Sequence, residues 1–124
     1  MGKRVYAINH NSKTLFANDD LLIIFDGWNI VLVRGLDEHG EDITIENNNN
    51  GLSFFDGGNH KATLTCDNWE ERITQLNISY TRKCERDSLN YENIFRLNQK
   101  KELTYLNFII MPDKPPIEIY LKRQ

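Results

Sequence analysis

Leu21-Leu22-Ile23-Ile24-Phe25, then Asp26-Gly27, then Trp28-Asn29-Ile30-Val31-Leu32-Val33: the reading of this stretch decides the fold. An Asp-Gly pair between two runs of β-branched and aromatic residues is a strong hairpin signal, because a two-residue turn needs positive φ and glycine supplies it with little strain. With Asp26 and Gly27 at the turn, Phe25 faces Trp28, Ile23 faces Ile30 and Leu21 faces Leu32. The other face carries Leu22, Ile24, Val31 and Val33. A strand pair that is apolar on both faces needs cover on both, so the hairpin belongs inside a sandwich or a barrel. Trp28 then closes one end of the core.

Outward from the hairpin, short strands and turns alternate. Residues 3–9 read as an opening strand, and 10–20 as a loop whose Leu15 and Phe16 plug the core. Gly35 ends or bulges the second hairpin strand. Residues 37–42 form a turn, 43–46 a strand and 47–51 a second turn; 52–55 and 61–66 pair around 56–60. Residues 93–98 and 103–111 form another hairpin across 99–102, stopped by Pro112, and Ile117, Ile119 and Leu121 mark a last strand. The expected fold is all-β, an antiparallel meander of about ten short strands in a barrel or sandwich, as one β-rich domain over residues 1–124. In length and strand count the chain resembles the up-and-down barrels of the lipocalin and fatty-acid-binding type. Their glycine-x-tryptophan near the first strand and their helical lid are absent from it.

Residues 67–89 fit two templates. Trp69, Ile73, Leu76, Tyr80 and Cys84 recur at helical spacing, with Asp67 or Asn68 as a cap. Leu76, Ile78, Tyr80 and Cys84 also alternate with Gln75, Asn77, Ser79 and Thr81 as a strand would. The Thr, Asn, Ser and Ile content of 73–81 favours strand, leaving room for one short helix near residues 68–75. The alternative is an α+β fold with residues 68–86 helical.

A chain of 124 residues with 40% hydrophobic and 27% charged content can bury a core without staples. No apolar run approaches the ~20 residues of a membrane span, and the first residues lack the apolar core of a signal peptide. The expectation is a cytoplasmic protein with no membrane partner. A hairpin turning near Asn68 would pair Cys66 with the neighbourhood of Ile73 and leave Cys84 ~35 Å away. Both cysteines are therefore expected as buried free thiols.

In a ten-strand meander, one end gathers His10, His39 and His60 with Asp37, Glu38, Glu41, Asp42 and Asp56. Imidazoles beside carboxylates can hold zinc, but none of these residues has tight ligand spacing, and no metal or cofactor is expected. Residues 46–51 echo a calcium loop, yet Gly57 stands where its bidentate glutamate belongs. There is no nucleophile elbow and no phosphate loop, so the chain is read as non-enzymatic. Arg82-Lys83, Arg86, Arg96 and Lys100-Lys101 interleave with Tyr80, Tyr91, Phe95 and Tyr105, a pattern that can bind single-stranded nucleic acid. Glu85, Asp87, Glu92 and Glu102 are mixed among them, which weakens that reading.

The net charge of −3 hides an asymmetry: residues 1–71 hold 12 acidic against 5 basic side chains, residues 72–124 hold 6 against 10. Carboxylate-rich turns attract a basic partner more readily than they catalyse. The leading expectation is a protein-binding inhibitor, such as a bacterial immunity protein that neutralises a toxin, acting through Asp37, Glu38, Glu41, Asp42 and Asp56. Trp69, Glu70 and Glu71 are the second choice. The alternatives are an apolar-ligand barrel, if Phe16, Phe25, Trp28, Phe54, Phe95 and Phe108 leave its interior open, and nucleic-acid binding by the basic half.

Overall fold

The computed structural model describes residues 4–10, 12–36 and 40–121. Among the described residues twelve strands follow one another: β1 (Tyr6–His10), β2 (Lys13–Ala17), β3 (Leu22–Phe25), β4 (Ile30–Arg34), β5 (Ile43–Asn48), β6 (Gly51–Asp56), β7 (Asn59–Cys66), β8 (Glu70–Ile73), β9 (Ile78–Arg86), β10 (Leu89–Leu97), β11 (Leu103–Phe108) and β12 (Ile117–Tyr120). They hydrogen-bond in chain order as an antiparallel meander, except that β9 borders both β7 and β8. The all-β meander expected from the sequence is thus the observed fold, and the described residues contain no helix.

Two compact units divide the chain. The first comprises residues 1–47 and 53–62, the second 48–52 and 63–124, so β6 and β7 contribute to both. The first unit buries Phe16, Ile23, Phe25, Ile30, Val33, Ile43, Ile45 and Phe54. The second buries Leu64, Phe95, Leu106, Phe108 and Ile110. Nine acidic residues against five basic give the first unit a charge of −4; nine against ten give the second +1.

Three of the larger departures from the expected strand map have local causes. The segment read as a loop over 10–20 contains β2, which pairs with β1 and β3. Its polar ends hide the alternation, although Phe16, the expected plug, is fully buried. In the organising hairpin the two-residue turn gives way to a four-residue one, Asp26 to Asn29, closed by Asp26 N donating to the Asn29 carbonyl at 2.9 Å. The Asp26 carboxylate accepts from the amides of Trp28 (2.8 Å) and Asn29 (2.7 Å). Those two bonds reward the wider turn. Phe25 therefore faces Ile30, Ile24 faces Leu32 and Ile23 faces Val33, with a bulge after Ile24. Trp28 is 48% exposed on the turn and does not close the core.

The third departure is the segment 67–89, which holds neither the short helix over 68–75 nor a helix over 68–86. Residues 70–73 form β8, and the chain turns at Thr74–Asn77, where Thr74 N reaches the Asn77 carbonyl (2.8 Å) and the Thr74 hydroxyl accepts from Asn77 N (3.1 Å). Beyond it, β9 and β10 meet across Asp87 and Ser88, both at positive φ (52° and 66°), the backbone of a two-residue hairpin turn.

Moving the turn from Asn68 to 74–77 also reverses the expectation for the cysteines. β7 and β8 lie end to end along β9, with the irregular residues 67–69 between them, and Cys66 falls directly opposite Cys84. Asp67 N donates to the Lys83 carbonyl at 2.8 Å, so the cysteines occupy a non-hydrogen-bonded position of the ladder, where side chains stand closest. Their Cα atoms are 4.0 Å apart and the sulfurs form a disulfide; neither is a free thiol. The buried Arg82 fastens the same irregular segment, its Nε donating to the Asp67 carbonyl at 2.8 Å. Burial holds that guanidinium's pKa below its ordinary value.

Asparagine abundance has a structural use here. Asn18, Asn48 and Asn98, like Asp26, accept with their side-chain oxygen from backbone amides two or more residues ahead. The asparagines thereby close three turns that contain no proline. Asn93 works differently: fully buried, it accepts from Ile109 N at 2.8 Å and draws the apolar run 109–111 off the end of β11. The expected strand over 103–111 accordingly stops at Phe108.

Candidate functional site: a carboxylate rim on the first unit

Three turns of the first unit meet at one end of its strands. The turn 18–21 is closed by Asn18 N on the Leu21 carbonyl (3.0 Å) and by the two bonds to the Asn18 side chain. Gly35, just past β4, is packed against the Asp20 carbonyl so closely that a Cβ there would overlap it. Gly57, between β6 and β7, donates its N–H to the Asp42 carbonyl at 2.9 Å and lies against the Glu41 side chain. Backbone contacts thus bring Asp19, Asp20, Glu41, Asp42 and Asp56 onto one rim. Asp19, Asp20 and Glu41 are exposed; Asp42 and Asp56 are half-buried.

Arg34, the last residue of β4, answers one of these charges. Its Nη2 lies 2.9 Å and its Nε 3.1 Å from the Asp42 carboxylate, a two-point contact that holds the Asp42 pKa below the usual carboxylate range. The same contact raises the pKa of Arg34. Replacing Arg34 with glutamine is expected to return the Asp42 titration to the ordinary range near pH 4, read by carboxyl carbon chemical shifts against pH. Because the folded-state pKa is depressed, the stabilisation from this pair is present above the unfolded-state pKa and is lost as pH falls through the folded one. An Asp42 titration indifferent to R34Q would refute the assignment.

Of the first-choice residues, Glu41, Asp42 and Asp56 come together on this rim, and Asp37 and Glu38 lie outside the described residues. Asp19 and Asp20 are further rim members within the segment that the sequence reads as a loop; the run Asn18-Asp19-Asp20 before Leu21 is the turn signal that marks them. The histidines do not converge as expected. Restoring β2 adds one turn to the meander, which moves His10 to the other end of the first unit. There the neighbouring Ser12 carbonyl lies 3.8 Å from where a Cβ on Gly27 would sit. His60 is one residue into β7, its ring edge-on to Phe55 at 5.5 Å, and His39 lies outside the described residues. Among the described residues, no three His, Cys, Asp or Glu side chains are arranged to hold a metal ion.

The second-choice residues belong to the other unit. Trp69 is half-buried, packing edge-on against Phe95 (5.3 Å) and near Phe108 (6.1 Å). Glu71 accepts from the Tyr80 hydroxyl at 2.7 Å, raising the pKa of that phenol, and Glu70 is exposed on β8. Of the aromatic residues interleaved with the basic run, Tyr80 stacks on buried Phe95 (4.9 Å), and the cation of Arg82 is buried. Among the described residues, no helix is long and apolar enough to cross a membrane. No family model, curated protein or solved structure matches the chain.

Proposed function

We propose that the chain is a non-enzymatic binding protein whose carboxylate rim engages a basic protein partner. One observation carries this reading: five carboxylates converge on three neighbouring turns, and Arg34 is already committed to Asp42. Like charges held together on a rim make a negative potential that draws a cationic surface in and orients it before contact. Inhibition fits this chemistry, and an immunity role, with the rim masking the cationic active site of a nuclease toxin, is its most specific form. The two alternatives have less support. Phe16, Phe25 and Phe54 pack in one core and Phe95 and Phe108 in the other, and two of the aromatic groups meant for nucleic acid stack on each other.

The compartment in this proposal follows the disulfide. Such bonds persist where the surroundings are oxidising, which favours a location outside the reducing cytoplasm expected from the sequence alone.

The test compares wild type with D19N/D20N/E41Q/D56N. Each is immobilised, exposed to an extract of the native host, and the captured protein is purified for association kinetics. The expected partner is basic, is not retained by the variant, and associates at least about tenfold more slowly when salt rises from about 0.05 to 0.3 M. An acidic partner, or an on-rate indifferent to both salt and the variant, would sink the proposal.

A further inference from the structure

Asn77-Ile78-Ser79 is the one Asn-x-Ser/Thr tripeptide in the chain, although fifteen asparagines are present. Such a tripeptide, with any residue but proline in the middle, is the acceptor signal for an N-linked glycan. In a chain this rich in asparagine the motif alone decides little. Its place in the fold and the disulfide decide more.

The tripeptide spans the last residue of the turn 74–77 and the first two residues of β9. The seven residues before it, Glu70 to Leu76, are exposed without interruption. The turn is closed without the Asn77 side chain. Thr74 N and the Thr74 hydroxyl donate to the Asn77 carbonyl at 2.8 and 3.2 Å, and Asn77 N donates back to that hydroxyl at 3.1 Å. In the turns begun by Asn18, Asn48 and Asn98, by contrast, the asparagine side chain itself holds the backbone. Asn77 Nδ2 makes no hydrogen bond and stays open to solvent, and so does the Ser79 hydroxyl. The nitrogen that would carry a sugar and the hydroxyl that an acceptor needs two residues later are both unengaged. Adding a glycan breaks no hydrogen bond of the fold.

The second observation is the Cys66–Cys84 disulfide. N-linked glycans are attached in the secretory lumen or the periplasm, the oxidising compartments in which such a bridge persists. Bridge and tripeptide are independent features that call for the same surroundings. The tripeptide lies inside the loop that the bridge closes, but Cys84 follows Ser79 by five residues. In a chain entering the compartment from its N-terminal end, Asn77 arrives before Cys84, so transfer precedes closure.

We propose that Asn77 is an N-glycosylation site that takes one oligosaccharide from a polyprenyl-diphosphate donor. Asn77 Nδ2 forms a bond to the anomeric carbon of the first sugar. The bond from that carbon to the diphosphate oxygen breaks, polyprenyl diphosphate leaves and the amide gives up one proton. The Ser79 hydroxyl is the group by which the transferase recognises the acceptor. The proposal rests on the oxidising compartment inferred from the disulfide.

The test takes the full chain from its native host without reductant. Its intact mass is measured before and after treatment with a peptide N-glycosidase, and its free thiols are titrated. One glycan is expected, which the enzyme removes while converting the Asn77 amide to a carboxylate. In N77Q and S79A made in the same host the glycosylated fraction is expected to fall at least about tenfold, while S79T, which keeps the hydroxyl, retains it. N77Q is expected to melt with the deglycosylated wild type, so that loss of the glycan is not loss of the fold. Bare Asn77 in protein whose cysteines are bridged would overturn the proposal and leave the compartment reading standing. Bare Asn77 together with two free thiols would overturn both. A glycan that persists in S79A would also overturn it, since the transferase would then not be reading this tripeptide.

Discussion

The double variant C66A/C84A is expected to unfold about 3 kcal/mol more easily than the wild type and to melt about 10 °C lower. The disulfide closes a loop with a sequence separation of 18. In the chain-entropy picture, opening a loop of that length returns about 3 kcal/mol of conformational freedom to the unfolded state. Local structure adds to the effect. The bridge sits where the ladder passes from β7 to β8, next to residues 67–69 and to the buried Arg82 that ties down the Asp67 carbonyl. Without the bridge, β8 is held to β9 by four register pairs and the Thr74–Asn77 turn. Fraying should therefore begin at β8, visible as faster amide exchange from Glu70 to Ile73 than in β10. A dithiol reductant should lower the wild-type melting temperature to that of the variant and leave the variant unmoved. Two titratable thiols in unfolded, never-reduced protein would disprove the bridge.

That bridge also shows where sequence reading fails. The strand runs Leu22–Phe25, Ile30–Arg34, Ile43–Asn48 and Gly51–Asp56 are legible because β-branched and aromatic residues alternate between punctuating Asp, Gly and Asn. Register is not legible to the same degree, because it depends on which hydrogen bonds a turn can make. The Asp26 carboxylate selects a four-residue turn over the two-residue one that Asp-Gly suggests, and Trp28 moves from the core to the surface as a result. A turn at Asn68 instead of 74–77 would likewise separate two cysteines that are direct neighbours in the ladder. β2, whose polar ends conceal it, adds one turn to the meander and so puts His10 at the end opposite the rim. The site suffered in proportion. Glu41, Asp42 and Asp56 were recognisable as turn carboxylates, but Arg34's claim on Asp42 and the arrival of Asp19 and Asp20 depend on strand parity, which composition does not encode. Ile73 and Leu76 lie on the surface for a reason that composition does not encode either, since apolar residues in a strand-like pattern are read as core.

Gly35→Ala is expected to destabilise the protein by about 3–5 kcal/mol, most of it from steric conflict and less from backbone strain. Gly35 has φ +84°, a region that residues with a Cβ rarely adopt, and a Cβ there would overlap the Asp20 carbonyl. That carbonyl belongs to backbone between Asn18 and Leu21, which the Asn18 side chain and the Leu21 carbonyl hold in place. Relief must come from moving one turn away from the other. Gly58 separates the two contributions. Its φ is nearly the same, +83°, but nothing lies within 4 Å of a Cβ built there, so Gly58→Ala should cost only the strain, about 1–2 kcal/mol. Urea unfolding midpoints of the two variants measure the difference directly. Because Gly35 positions the turn that carries Asp19 and Asp20 against the one that carries Glu41 and Asp42, G35A should also loosen the rim. Its partner on-rate should fall even where the protein remains folded, while G58A keeps the wild-type rate. Equal destabilisation by the two variants would mean that the turns are not in contact, and the rim would lose the geometry on which its negative potential depends.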